Sequence, residues 1–216
     1  MAILREQDKQ AVQERLNEMT GKAKLVYFTS ELECQYCKET GELLTEVSEL
    51  SEKLDLEVHN MHTDTEAAEK YNIQNVPATV ILAEDGVDHG IRYYGIPSGY
   101  EFASLLEDIL MASANDSGLE QETRDALKTL DEDVHMQVFV TPTCPYCPGA
   151  VRIAHQMAFE SDKVRADMVE ASEFPELAMR YNVQGVPRTV INEDHALEGM
   201  MPENAVLQEV MSAVLA

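Results

Sequence analysis

A four-residue cysteine motif occurs twice in this chain, each time with the same partner downstream, and that repeat limits the possible folds more than any other feature. Cys34-Gln35-Tyr36-Cys37 returns as Cys144-Pro145-Tyr146-Cys147, 110 residues later. Tyr71-Asn72-Ile73-Gln74-Asn75-Val76-Pro77 returns as Tyr181-Asn182-Val183-Gln184-Gly185-Val186-Pro187 at the same offset of 110. The step from first cysteine to proline is therefore 43 positions in both halves. Two unrelated motifs that keep one spacing indicate a duplicated structural unit. All four cysteines of the chain lie in these two pairs.

The 216 residues divide naturally into two domains of about 100 residues each. Residues 1–117 are expected to form one unit and 118–216 the other, joined through the small, polar stretch Ser113-Ala114-Asn115-Asp116-Ser117-Gly118. No apolar run approaches the roughly 20 residues of a membrane span. The first residues are charged almost at once and carry no apolar leader core, so a cytoplasmic location is expected. There, ordinary thiols are kept reduced, and close cysteine pairs are usually catalytic or metal-binding. Forty acidic against sixteen basic residues give a net charge of −24. That charge argues against nucleic acid or an anionic membrane as partner, since both repel it.

Apolar periodicity predicts the same order of elements in each half. In the first, an amphipathic helix over 5–19 precedes a buried strand at Leu25-Val26-Tyr27-Phe28, then Cys34 and a helix from Lys38 to Leu54. A strand at Leu56–His59, a short helix near 65–72 and a strand at Thr79–Leu82 follow. Asp85-Gly86 signals a hairpin into Ile91–Tyr94, and a closing helix carries Phe102, Leu105, Leu106, Ile109 and Leu110. The second pass places helices at Glu120–Leu130, Val151–Phe159, Glu176–Tyr181 and Glu203–Leu215. Its strands fall at Val138–Val140, Val164–Val169, Thr189–Ile191 and Ala196–Glu198. The fold class is thus α/β, two tandem units, each a mixed sheet flanked by helices.

A Cys-x-x-Cys at a strand-to-helix junction sets its first sulfur beside the free N–H groups of the helix's first turn. These stabilise a thiolate. The thiolate attacks a disulfide to give a mixed disulfide, and the second cysteine, one turn on, resolves it. Cys34 and Cys144 are thus the candidate nucleophiles, with Cys37 and Cys147 resolving. Gln35-Tyr36 lacks the proline of Pro145-Tyr146, so the two sites are expected to differ in thiol acidity and potential. Val76-Pro77 and Val186-Pro187, each just before a strand, fit cis peptides in tight turns. Such a turn leaves the backbone of the preceding residue free to pair with a substrate chain. Val76, Pro77, Val186 and Pro187, with Tyr36 and Tyr146, are the candidate substrate-binding residues.

These residues resemble the thioredoxin superfamily, and Cys-Pro-Tyr-Cys is the signature of its glutaredoxins. Across residues 5–216 the chain is similar to the two-unit protein disulfide oxidoreductases (glutaredoxin-like proteins). The similarity extends to Tyr94-Gly95-Ile96-Pro97-Ser98-Gly99-Tyr100-Glu101-Phe102 and to Ala150-Val151-Arg152-Ile153-Ala154-His155. The resemblance implies thiol–disulfide oxidoreductase activity on disulfide-containing or dithiol proteins, with cis-prolines at Pro77 and Pro187. It also implies electrons from a thioredoxin-reductase-like flavoenzyme, and no bound cofactor. Thioredoxins proper carry a buried aspartate on the strand before the site and a tryptophan before the first cysteine. Neither is present here, which leaves Glu31, Glu33 and Glu173 as candidate proton acceptors, each expected at the solvated surface. The glutathione-binding features of true glutaredoxins are not evident either.

Three other readings compete. Tandem units of this kind resemble the N-terminal part of alkyl hydroperoxide reductase flavoproteins, which suggests a dithiol relay to a peroxiredoxin. In those tandems the first unit has lost its cysteines, whereas here both pairs are intact. A four-cysteine zinc site is disfavoured because such pairs usually lie about 15–20 residues apart, and 106 residues separate Cys37 from Cys144. Iron–sulfur bridging stands beside it; no metal ligands are assigned. The six histidines, His155 among them, are expected in surface or packing roles, and the eleven methionines in packing.

Overall fold

The computed structural model describes residues 3–32 and 34–214. The first half runs α1 (Glu6–Leu16), β1 (Ala23–Thr29), α2 (Cys37–Ser48), β2 (Leu54–Asn60), α3 (Thr65–Lys70), β3 (Ala78–Leu82), β4 (Asp88–Tyr94) and α4 (Glu101–Ala114). The second repeats that order as α5 (Gln121–Leu127), β5 (Val134–Val140), α6 (Cys147–Glu160), β6 (Val164–Glu170), α7 (Pro175–Arg180), β7 (Arg188–Ile191), β8 (His195–Glu198) and α8 (Glu203–Ala213).

Among the described residues the strands form one eight-stranded sheet, ordered β2-β1-β3-β4-β6-β5-β7-β8. The helical crossovers make β1–β2 and β5–β6 parallel, and the hairpins make β3–β4 and β7–β8 antiparallel. The two halves join where β4 pairs β6 in parallel, from Ile91↔Ala166 to Tyr94↔Val169. Both faces of the sheet are covered, which explains the unbroken apolar run of β1. Leu25 and Tyr27 enter the core under α1, α2, α4 and α6; Val26 and Phe28 enter the smaller core under α3 and α7.

The shared order inside the two Tyr-Asn motifs has a local cause. Asn72 and Asn182 have φ of 50° and 51°, a left-handed conformation that asparagine tolerates. Each stops its short helix, with Ile73 N–H donating to Ala68 O (2.8 Å) and Val183 N–H to Ala178 O (2.9 Å).

One expectation needs correction, and one gains detail. The helix read over Lys38–Leu54 ends at Ser48, and Leu54 begins β2 opposite Ala23. Ser51 makes the break: its carbonyl accepts from Leu54 N–H at 3.1 Å and its hydroxyl from Lys53 N–H at 3.2 Å. The stretch read as a linker is packed. The last turn of α4 reaches Ala114, Ser113 and Ser117 are buried, and Ser117 donates to Glu160 Oε2 at 2.6 Å while its carbonyl accepts from Gln156 Nε2 at 2.7 Å.

The junction between halves leaves no room at Gly90. Its φ is +80°, and an added Cβ would lie 2.7 Å from the Val164 carbonyl oxygen. Gly90→Ala is expected to cost at least ~1 kcal/mol, since alanine is strained at positive φ, and to lower Tm by roughly 2–4 °C per kcal/mol. Thermal unfolding checks this.

Candidate active site

Both cysteine pairs sit where a strand hands over to a helix at the same edge of the sheet. Cys37 and Cys147 are the first residues of α2 and α6, and each is closed into a disulfide with its partner, Cα–Cα 5.5 Å. Within each pair the first cysteine is nearer solvent. Cys34 is half-buried and Cys37 buried; Cys144 is 7% exposed and Cys147 0%.

The hydrogen bonds to sulfur differ between the sites. At the second, Cys147 N–H points at Cys144 Sγ, 3.1 Å away, so an amide of the helix's first turn faces the sulfur that would carry the charge. At the first, Ser30 N–H points instead at Cys37 Sγ, 3.4 Å away. Helix α2 is pinned from below by Tyr27, whose hydroxyl donates to the Cys37 carbonyl at 2.6 Å. Burial pushes the Tyr27 phenol up to about 12, so it stays a donor.

The sheet register sets the prolines beside the cysteines. Phe28↔Ala78 and Phe139↔Arg188 put Pro77 and Pro187 next to the ends of β1 and β5, from which the cysteine loops depart. Both Val76-Pro77 and Val186-Pro187 are cis. The valines are half-buried and the prolines buried. Among the described residues, the backbone N–H and C=O of Val76 and Val186 have no hydrogen-bond partner within the chain. Tyr36 and Tyr146 are 36% and 67% exposed. Tyr100 and Met200, which the sequence patterns did not single out, also lie open at the second site. Tyr100 N–H donates to Pro142 O at 3.0 Å, and Met200 packs over Gly149 in the first turn of α6.

Of the acids proposed from sequence, Glu31 is exposed, and Glu33 lies outside the described residues. Glu173 is not a solvated surface group. It is half-buried and accepts from Ile96 N–H at 2.7 Å, next to Gly95, whose N–H donates to Pro77 O at 3.0 Å. A carboxylate of the second half thus backs the proline turn of the first. Burial raises it to about 7, against the Ile96 hydrogen bond, with Glu170 adding to the rise.

The residues that sequence reasoning missed lie on the inner face of α4. Glu101 is 1% exposed, with Oε2 accepting from Ser104 Oγ at 2.8 Å. Its burial raises the carboxyl to about 7, partly offset by that hydrogen bond and by the nearby His155 ring. One helical turn beyond Ser104, buried Asp108 accepts from the Tyr93 hydroxyl and lies 2.5 Å from His155 Nδ1. Glu101, Ser104 and Asp108 recur at steps of three and four on an otherwise apolar helix face. That polar stripe was the available signal. Tyr100 touches Pro142 just before the second cysteine pair and Asp108 touches His155 two turns into α6, so α4 and α6 run side by side in parallel. Glu101 lies seven residues before Asp108 and Cys147 eight before His155, so helix rise sets the two at similar heights.

Two redox-active dithiol centres, each at a strand–helix junction beside a cis-proline turn, define a protein of thiol–disulfide exchange. The thioredoxin domain family matches residues 10–107 and 134–212, and the chain belongs to that family, with one thioredoxin-like fold in each half. A protein disulfide oxidoreductase from Aeropyrum pernix K1 superposes with TM-score 0.92 at 32% identity, covering 98% of this chain and 94% of that one. The C503A mutant of the Enterococcus faecalis (V583) alkylhydroperoxide reductase AhpF gives TM-score 0.88 at 27% identity, with 96% and 99% covered. An alkyl hydroperoxide reductase chain from Staphylococcus aureus (strain Mu50) is 29% identical over 175 residues, 81% of this chain and 32% of its own length. The chain therefore spans about a third of the curated relatives it matches.

The raised Glu101 carboxyl has a consequence for stability. An acid whose folded pKa lies above its unfolded value binds its proton more tightly when folded, so stability from this site falls as pH rises from about 4.5 to about 7. Glu101→Gln is expected to unfold at higher temperature than the parent at pH 8, with the margin shrinking towards pH 5. Melting curves at the two pH values measure this.

Proposed function

We propose that the protein reduces, forms or isomerises disulfides in other proteins through mixed disulfides at Cys34 and Cys144, with Cys37 and Cys147 as the resolving thiols. The observation that carries this reading is the pairing, at both sites, of a helix-opening Cys-x-x-Cys with an adjacent backbone segment that has no partner of its own. Val76 and Val186 would take an extended substrate strand by main-chain hydrogen bonds. Tyr36 and Tyr146 would cover its side chains, with Pro77 and Pro187 shaping the turn.

In the reductive direction, the thiolate of Cys144 attacks a substrate disulfide, forming one mixed S–S bond and expelling one substrate thiolate, which takes a proton from water. Cys147 loses its proton to Glu101, the buried acid at a similar height, and its sulfur attacks Cys144 Sγ. The second substrate thiolate leaves, and the protein keeps an intramolecular disulfide. Two electrons have moved to the substrate without any bound cofactor. At the first site, Glu173 is the half-buried acid beside the proline turn.

The two centres act separately within one molecule. They lie four strand positions apart, β1 to β5, roughly 19 Å at the usual ~4.8 Å spacing, whereas exchange needs sulfurs in contact. We divide the chain into units of 1–117 and 118–216, each carrying one dithiol, although helix α4 of the first lines the second site. Electrons would come from a thioredoxin-reductase-like flavoenzyme in the cytoplasm; among the described residues no helix is long and apolar enough to cross a membrane. The strong negative charge favours basic partner surfaces.

A second reading, relay of electrons to a peroxiredoxin, draws support from the relatives named alkyl hydroperoxide reductase. Retention of both dithiols, and the higher similarity to the A. pernix oxidoreductase (TM-score 0.92 against 0.88, identity 32% against 27%), favour the broader activity.

Insulin-disulfide reduction with dithiothreitol separates the contributions. Cys34→Ser and Cys144→Ser are each expected to lower the rate, the second more, because its sulfur has the amide donor and the Cys-Pro-Tyr-Cys turn. The double variant should be inactive. Undiminished activity in the double variant would reject the reading, and a larger loss from Cys34→Ser would reverse the ranking.

A further inference from the structure

The cluster between α4 and α6 contains two buried polar atoms without a hydrogen-bond partner, one on Glu101 and one on a residue the exchange chemistry has not yet used. Glu101 Oε1 and His155 Nε2 each lack a hydrogen-bond partner among the described residues. Burying such atoms unpaired is costly. They are also complementary: a carboxylate oxygen accepts, and an imidazole nitrogen accepts or donates according to its proton. The ring's other nitrogen is held on Asp108 Oδ2 at 2.5 Å, with the Tyr93 hydroxyl donating to the same oxygen. Desolvation keeps Tyr93 a phenol, its pKa well above 10, so it serves as a fixed donor. Tyr93 also meets the His155 ring edge-on at 5.1 Å, which fixes the plane of the imidazole.

We propose that His155, oriented by Asp108 and Tyr93, is a positioning residue that shares with Glu101 the proton released by Cys147, so that the second dithiol works through a relay built from both halves of the chain. This rests on Cys147 being the resolving thiol and Glu101 its proton acceptor. The steps balance. As Cys147 Sγ bonds to Cys144 Sγ and the substrate sulfur departs with the electron pair, the Cys147 proton passes to Glu101 and on to His155 Nε2. His155 is 0% exposed, so the proton is stored in the cluster. It returns to Cys147 when a reducing thiol reopens the disulfide.

The other groups facing Glu101 are accounted for. Ser104 donates to Oε2, Asp108 stands two turns along α4, and Tyr93 faces it from β4. Arg15 of α1 is tied to Glu107 on another face of α4. Burial pushes the Glu101 carboxyl up to about 7 and Asp108 adds to the rise, while the Ser104 hydrogen bond and the His155 ring pull it down.

Stopped-flow reaction of the reduced protein with Ellman's reagent tests this, in a Cys34→Ser/Cys37→Ser background that leaves only the second site. The first thionitrobenzoate released reports attack by Cys144, and the second reports resolution by Cys147. In His155→Asn the side-chain amide replaces Nδ1 and can still donate to Asp108, but nothing stands in place of Nε2. The second phase is expected to shift its midpoint to higher pH by about one unit, roughly tenfold slower at pH 7, with the first phase unchanged. An unshifted second phase in folded His155→Asn overturns the relay. Should that variant fail to fold, His155→Gln, whose uncharged amide likewise takes up no proton, is read the same way, with the same upward shift expected. Glu101→Gln separates the two levels: if it too leaves the second phase unshifted, Glu101 is not the acceptor. If it alone alters the second phase, Glu101 stands and His155 is only packing. A parent protein that releases no second thionitrobenzoate removes the resolving role of Cys147 itself.

Discussion

Four residue pairs between β4 and β6, Ile91↔Ala166 through Tyr94↔Val169, turn two four-stranded sheets into one. Around that seam Arg165 donates to the Tyr94 hydroxyl at 2.9 Å and to Asn72 O at 3.2 Å, and Phe159 stacks on His89 at 4.0 Å. Because the pairing is parallel, the ends of β1 and β5 from which the cysteine loops leave fall on the same edge. Closely packed sheets resist deformation, so the separation of the two dithiols is a property of the sheet. The same seam brings α4 alongside α6 and the loop after β6 alongside the Pro77 turn. A raised acid from the opposite half thereby lies near each proline turn or helix start: Glu173 accepts from Ile96 N–H beside the Pro77 turn, and Glu101 opens α4 alongside α6.

Those two carboxyls stand apart from the protein's general acidity. Most of the forty acidic residues form a solvated coat that sets solubility and partner charge. Glu101 and Glu173 have instead been moved into low dielectric, where each is raised to about 7. A buried acid poised near neutrality destabilises the native state when ionised, yet it is suited to exchanging a proton with a thiol. Stability is given up at these positions for reactivity, the common pattern at functional sites.

Much of the architecture was legible because the repeat is so regular. The order of helices and strands followed from apolar periodicity, and the cysteine and proline motifs marked the positions that the fold brings together at the sheet edge. Misreadings came where one pattern served two structures. Leu54 continues an apolar helical stripe equally well as it opens a strand, and the hydrogen bonds of Ser51 decided between them. The small polar residues at 113–118 lie where the halves connect, and there the tertiary structure adds only that Ser117 is buried against Glu160 and Gln156. His155 looked like one more scattered histidine because its partner, Asp108, is 47 residues away in sequence.

The sequence by itself determined the duplicated unit, the two dithiols, the proline turns and the chemistry these residue types can perform. That information is carried by residue spacing, 43 positions within each half and 110 between them, and by backbone preferences that neighbours alone impose. Which acids are buried and raised, that the two centres share one edge, and that a histidine, an aspartate and a tyrosine lock together between α4 and α6 were decided only by the tertiary structure. Proton affinity depends on burial and on charges brought near by folding, and the β4–β6 pairing that brings them near has no signature in either strand.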